Sequence, residues 1–347
     1  MGAVFAVHAG QQASPFKVLA FYDVSSGDAA HDAYAKEANA WFPSVAAANG
    51  FTYESTSDWS KLNTSNLASY KVIMFLNDLC WDGGQQTAFQ TYMTGGGGWI
   101  GFHVCAYNDA SGPNWPWYFT TFLGNGQFVS NTWWPTTAIL DDEDTTNPIT
   151  KGFPKTFVSP VNEWYSWQND LRKNANIKIL CSIDSKSFPL GTDPNQSWTS
   201  GYYPVVWTNK NYKMVYSNMG HEYMNYSTNT ATSQTFTDTQ YARLVLNAVK
   251  YCAGMTTNID GGRPTVGQSS SAASVTTVSM SKTFVTVSIT GSENVSAMLT
   301  RANGEVSVRA ESAAGSCCIN RTGLRAGVYF LQVKGRGRTI SQKILLP

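Results

Sequence analysis

The sequence predicts an α/β domain, built on a mostly parallel sheet with helices on both faces, followed by a small all-β sandwich. Three observations predict it. Between residues 16 and 254, apolar runs of strand length alternate with helical segments, the pattern of a parallel sheet covered on both sides. From residue 274 the chain changes to alternating β-type runs. Charge changes at the same place: residues 274–347 hold nine Lys and Arg against three Glu, while the rest of the chain holds fifteen basic and twenty acidic residues. A length of 347 residues suits one large domain plus a small one.

The elements follow in order. "FKVLAFY", from Phe16, has strand length, and "HDAYAKEANAWFPSVAAANG" has Ala-rich helical spacing closed by Asn49-Gly50. "FTYEST" and "YKVIMFLN" are further strands, "GGQQTAFQTYMTGGG" is a helix running into glycines, and "WIGFH" is the next strand. The stretch from Asn125 to Ser200 is less regular. "IKILCSI", "PVVWT" and "KMVYSNMG" are later strands, and "TDTQYARLVLNAVKYCAG" closes residues 16–254 as a helix. Residues 255–273, rich in Gly and Ser, read as a linker. In the tail, Asn303-Gly304 between alternating runs marks a β-hairpin. Residues 1–15 resemble the clipped end of an export signal, with a small residue after an apolar stretch but no basic start, and stand outside the predicted fold.

Composition excludes several function classes. Charged residues make up only 14% of the chain, a profile frequent in secreted proteins. No apolar run is long enough for a membrane span. The basic tail has no aromatic interleaving of the kind that binds nucleic acid. Six cysteines include no CxxC pair, so zinc knuckles and thioredoxin-type motifs are unsupported. Long-range disulfides are compatible with the count, but the sequence does not pair them.

Four histidines are sparse, and three of them follow strands: His31, His103 and His221. On parallel strands all three emerge at the carboxyl edge, where open α/β sheets place ligand sites. Glu163, ahead of Trp164 and Tyr165, is the best carboxylate companion, in surroundings that suit a general acid or base. Asp109 and the acidic run Asp141, Asp142, Glu143 and Asp144 are weaker candidates, the run reading as a solvated loop. In "GGGGWIGFHVC" the apex of a strand-to-helix elbow is His103, above Gly101, whereas Cys105 falls two residues later and reads as a buried thiol. Trp115, Trp117, Trp133, Trp134, Trp164, Tyr165 and Trp167 offer aromatic platforms for sugar faces, with core packing as the competing use. The His/Glu group also suits zinc or another divalent ion, although no HxH or HExxH spacing marks a metal site. One convincing carboxylate argues against a paired-carboxylate glycosidase.

"GGGGWIGFHVC", "WPWYFTTFLG", "NPITKGFP", "NEWYSW", "PVVWT" and "MGHEYMNY" come in the order found in ThuA-like (trehalose utilisation) domains, which residues 16–254 resemble. The resemblance implies a flavodoxin-like, class I glutamine amidotransferase-like fold with histidine at the elbow where amidotransferases hold cysteine. It also implies a pocket lined by His31, His103, Glu163 and His221, and a carbohydrate partner that includes keto-sugars. Cys105 departs from the small residue usual there. The tail, "GEVSVRAE…INRTGLRAGVYFLQVKGRGRTISQKILLP", resembles a type IX secretion sorting domain. That resemblance implies the secretion machinery as a partner, and a secreted or cell-surface location reached through the periplasm of a Gram-negative bacterium. Two functions compete: an enzyme doing His/Glu acid–base chemistry on a saccharide, and a non-catalytic carbohydrate-binding protein on the same fold.

Overall fold

The computed structural model describes residues 14–23, 27–191, 195 and 197–255, and in the tail the strands between residues 276 and 346 with Leu324 and Arg325. The signal-like start and the linker therefore lie almost wholly outside the described residues. The chain divides into two compact units, Met1–Ser269 and Ser270–Pro347.

The first unit opens with β1 (Phe16–Tyr22), α1 (Ala29–Ala46), β2 (Phe51–Thr56), α2 (Thr64–Leu67), β3 (Val72–Leu76), α3 (Gly83–Thr94) and β4 (Gly98–Phe102). A π-helical segment, Trp117–Leu123, leads to β5 (Phe128–Asn131), β6 (Ile139–Asp142), β7 (Thr156–Val158) and β8 (Tyr165–Trp167). Then come β9 (Ile177–Ile183), β10 (Pro204–Asn209), β11 (Lys213–Ser217), the short β12 (Met224–Asn225) and β13 (Thr230–Ala231), and α4 (Thr239–Cys252). Asp28, Asp82 and Asp238 cap α1, α3 and α4, each accepting from amides of the first turn.

One nine-stranded sheet runs β2-β1-β3-β4-β11-β10-β9-β6-β7. From β2 to β11 every pairing is parallel, including "YKVIMFLN" beside "WIGFH". Beyond β11 the sheet turns antiparallel. Chain length explains the switch: only residues 210–212 separate β10 from β11, and a parallel crossover needs a dozen or more. Of the acidic run expected as a loop, Asp141 and Asp142 end strand β6 instead, with Asp142 buried and Asp141 paired to Lys155 at 2.8 Å, whereas Glu143 and Asp144 follow the strand outside it.

Apart from β2 at the sheet edge, the parallel strands are buried on both faces, so alternate residues enter two cores. Val18, Ala20, Val72, Met74 and Phe102 pack with Tyr34, Phe42, Leu244 and Val245 from α1 and α4. Leu19, Phe21, Ile73, Phe75 and Trp99 pack with Leu67 of α2 and Phe89 and Met93 of α3. Each large side chain so buried contributes about 1.5–3 kcal/mol. Gly101 serves this second core in an unexpected way: a Cβ there would lie 2.0 Å from the Trp99 indole, so its bareness makes room for the tryptophan rather than for a helix.

The second unit consists of β14 (Thr276–Met280), β15 (Phe284–Ile289), β16 (Val295–Arg301), β17 (Val306–Ser312), β18 (Ser316–Asn320), β19 (Gly327–Gly335) and β20 (Arg338–Leu346). They form two antiparallel sheets, β14-β15-β18 and β17-β16-β19-β20. One apolar cluster joins them, with Cys317 and Ile319 from the first sheet and Ala297, Leu299, Tyr329, Leu331 and Val333 from the second. β16 and β17 pair antiparallel with a register shift between Leu299 and Thr300, while the expected Asn303-Gly304 turn lies outside the described residues.

Candidate active site

Three parallel strands deliver the three histidines to one edge of the sheet. His103 follows β4, His221 lies four residues beyond β11, and His31 sits in the first turn of α1, which β1 feeds. Their rings converge: His31 to His221 at 4.9 Å, His31 to His103 at 5.2 Å, and His103 to His221 at 5.6 Å between centroids. Glu163 comes in from the side, just before β8, which pairs with β5 as a separate two-stranded ribbon. Its Oε2 lies 3.4 Å from His103 Nε2.

The elbow at His103 is strained. Its φ is +43°, a left-handed conformation that a non-glycine residue adopts only when its surroundings dictate it. Those surroundings are visible. His103 Nδ1 donates to the Asn218 carbonyl at 2.8 Å, Tyr216 donates to the His103 carbonyl at 2.7 Å, and the Tyr165 ring lies 3.9 Å away. Gly220 passes so close that a Cβ on it would stand 2.6 Å from the His103 Cβ. Because a carbonyl only accepts, the Nδ1 contact fixes the proton there and turns the Nε2 lone pair toward Glu163.

Asparagines brace the cluster. Asn162 donates to the Asn218 carbonyl at 2.9 Å, and its oxygen accepts from the Gly220 and His221 amides at 2.8 and 2.9 Å. Asn77, at φ +56°, donates to the Gly220 carbonyl and to the His31 carbonyl at 3.3 Å. Asn131 of β5 donates to Glu163 Oε1 at 2.9 Å. Sequence reasoning passed over these residues because asparagine is an ordinary loop residue. Asn218 and Asn162 nevertheless flank the motifs, in "SNMGH" and "NEW".

A fifth group was also missed. Asp28 caps α1 through Oδ1, which accepts from the Ala30 amide at 2.8 Å and from the Tyr226 hydroxyl at 3.3 Å, while Oδ2 lies 3.7 Å from His221 Nε2. Its signal in the sequence was the N-cap position three residues ahead of His31. Burial pushes the Asp28 carboxyl up, but His221, His31 and the Ala30 amide outweigh that and hold it below the usual carboxylate range. Burial holds His31 well below the ordinary imidazole value, helped by the charges of His103 and His221. Burial lowers His103 as well, against the pull of Glu163. Next to His221, burial and the neighbouring Glu37 push Glu222 up to about 8. Glu37 accepts from the Thr235 and Phe236 amides at 2.8 and 3.0 Å.

The thiol of Cys105 is buried under the elbow and donates to the Phe75 and Asp78 carbonyls, and burial pushes it up to about 12. It is no nucleophile at neutral pH. The aromatic platforms divide. Trp115, Trp164, Trp167 and Tyr165 are buried, with the Trp164 and Trp167 indoles donating to Thr136 and Ala106 carbonyls. They have no face to offer a sugar, because packing has taken it. Trp117 is half-buried, stacked on Phe122 at 5.2 Å. Trp133 and Trp134 are 56% and 51% exposed, two and three residues after Asn131. Asp109 is half-buried and accepts from the Ser111 amide and hydroxyl at 2.8 and 2.6 Å.

Comparison with known proteins gives a consistent picture. The family described as "ThuA: Trehalose utilisation" matches residues 17–252. A putative ThuA-like protein from Bacteroides uniformis, solved by crystallography, is 35% identical, covering 75% of this chain and 99% of its own, with a TM-score of 0.63. A second putative ThuA-like protein, from Parabacteroides merdae, is 17% identical with a TM-score of 0.50, covering 70% of this chain and 92% of its own, and shares the fold. No curated protein matches the chain. Among the described residues, no helix is long and apolar enough to cross a membrane.

Proposed function

The chain belongs to the ThuA, trehalose utilisation, family, and from that premise we propose that it is an enzyme acting on a saccharide or keto-sugar through its His/Glu cluster. The observation that carries the reading is the convergence of three of the chain's four histidines with Glu163 and Asp28 at the carboxyl edge of the parallel strands. Polar side chains aimed at one small volume are what proton transfer to a sugar oxygen or carbon requires.

The two histidine–carboxylate pairs differ in access. The Asp28 side chain is 37% exposed and that of Glu163 only 9%. Substrate therefore enters from the Asp28 side, between Tyr226, which is exposed, and the loop of His221. His221 backed by Asp28 moves the proton, an arrangement in which the carboxylate stabilises the imidazolium that forms. His103 and Glu163, both buried, and the half-buried His31 form the floor against which the reacting oxygen rests. Trp133 and Trp134, after Asn131, offer the sugar a face at the rim.

The test is a panel of saccharides that includes keto-sugars, with the wild type beside His103→Ala. An enzyme loses turnover with a modest loss of binding. A pure binding protein turns over nothing in either form and loses only affinity, which would refute the reading. For the second unit, we propose that the two sheets make a sandwich that serves type IX secretion. The closing hairpin of β19 and β20, nine residues each, is the support. Truncation after Gly254 should strand the protein in the periplasm of a host with that system, and normal delivery of the truncated chain would refute it.

A further inference from the structure

We propose that His31, His103 and Glu163 hold one divalent transition-metal ion, zinc by the chemistry of the donors. The inference rests on the reading that this cluster is the reacting centre, and it says what holds the reacting oxygen against the buried floor. One ligand atom from each of the three residues lies within 4.8 Å of the other two.

The distance between His103 Nε2 and Glu163 Oε2 is the most telling. At 3.4 Å it is too long for a good hydrogen bond. Two donors bound tetrahedrally to one zinc at ~2.0–2.1 Å stand roughly 3.3–3.4 Å apart. The far side of each residue is already tied: His103 Nδ1 donates to the Asn218 carbonyl, and Glu163 Oε1 accepts from Asn131. Backing a ligating imidazole with a carbonyl, and a ligating carboxylate with a donor, is how proteins orient metal ligands. What remains on the inner side is a lone pair facing a carboxylate oxygen. Two acceptors repel at that distance unless something positive lies between them.

A proton shared between the two would draw them to about 2.7–2.9 Å. It would also leave His31 unexplained. Both His31 Nε2 and His103 Nε2 are buried with no hydrogen-bond partner among the described residues. Buried polar atoms in native proteins are nearly always partnered, and two imidazole nitrogens beside one carboxylate are a donor set for zinc rather than magnesium or calcium. Asp28, His31 and His221 form a second trio within the same limit. It is the poorer set, because Asp28 Oδ1 already serves the Ala30 amide and Tyr226 and the group is partly exposed. Three protein ligands leave a fourth position for a substrate oxygen or water, next to the His221–Asp28 pair that moves the proton.

The experiment is zinc binding to the full-length, chelator-stripped protein, followed by calorimetry and by elemental analysis after dialysis, together with the visible absorption of the cobalt-substituted form. Wild type should take up one equivalent of zinc, and cobalt should give the d–d bands of a low-coordinate site. Glu163→Gln, nearly isosteric, and His31→Ala should each weaken zinc binding by about a hundredfold, and Asn131→Ala by roughly tenfold through the loss of orientation. Circular dichroism of the stripped proteins separates lost binding from lost fold. No stoichiometric zinc or cobalt, or uptake unchanged in Glu163→Gln and His31→Ala, overturns the inference. Saccharide turnover that survives stripping at full rate also overturns it while leaving the proposed function standing. One bound equivalent in a protein that turns over no saccharide supports the metal site and defeats the proposed function instead.

Discussion

His103–Glu163 and His221–Asp28 are the same two side-chain chemistries at nearly the same distance, 3.4 and 3.7 Å, in opposite surroundings. In the first pair the histidine is fully buried and the carboxylate nearly so, and each outer atom is fixed by an asparagine side chain or carbonyl. In the second the carboxylate is more than a third exposed and is shared with a helix N-terminus and a tyrosine hydroxyl. Burial, not residue type, separates the two pairs. Under the proposed function the sealed, oriented pair holds the reacting group and the open one exchanges protons with what enters.

That division gives graded expectations. The largest effect belongs to the sealed pair. His103→Ala should abolish turnover, and since His103 is fully buried, at positive φ and hydrogen-bonded, it should also cost about 1–3 kcal/mol in denaturant unfolding. The packing of its ring against Tyr165 at 3.9 Å makes the elbow apex part of the core. His103→Asn, which tolerates the left-handed conformation, should recover part of the stability and none of the rate.

At the open pair, Asp28→Asn should slow turnover by roughly 10²-fold, because asparagine still caps α1 but no longer stabilises a charged His221. It should also change the acid limb of stability. The folded carboxyl lies below its unfolded value, so its contribution is full above the ordinary carboxylate range and is lost as pH falls through the depressed folded value. The variant should lose that part of the acid sensitivity, read as a flatter melting temperature below about pH 4.

The smallest effect lies behind the open pair. Glu222 is raised from 4.5 to about 8, so the native state binds the extra proton between those values and stability falls as pH rises through that window. Glu222→Gln should remove the slope and raise the melting temperature at pH 8 by a few degrees, with turnover changed less than tenfold. A slope that persists in the variant would place the titration elsewhere.

Much of the fold and of the cluster was legible in the sequence for the same reason. Strands of five to seven residues alternating with capped helices set the parallel half of the sheet. That order alone brings residues after β1, β4 and β11 to one edge, which is why three histidines far apart in sequence could be expected together. The antiparallel half was less legible, since short apolar strands such as "PVVWT" look alike in either direction and only the three-residue connection to β11 decides. Burial was least legible. Trp164 and Trp133 are the same residue type, yet one is sealed in the core and the other 56% exposed. The asparagine braces were invisible because their role is set by contacts across more than thirty positions, as from Asn131 to Glu163 and from Asn162 to Asn218.

The most direct test of the central claim, that the sealed pair belongs to a working saccharide centre, is the rate of Glu163→Gln against wild type on the saccharide the panel identifies. The substitution keeps shape and the Asn131 contact while removing the charge facing His103. The expected result is an intact fold and a rate lower by roughly 10²–10⁴-fold. An intact fold with an unchanged rate would contradict it.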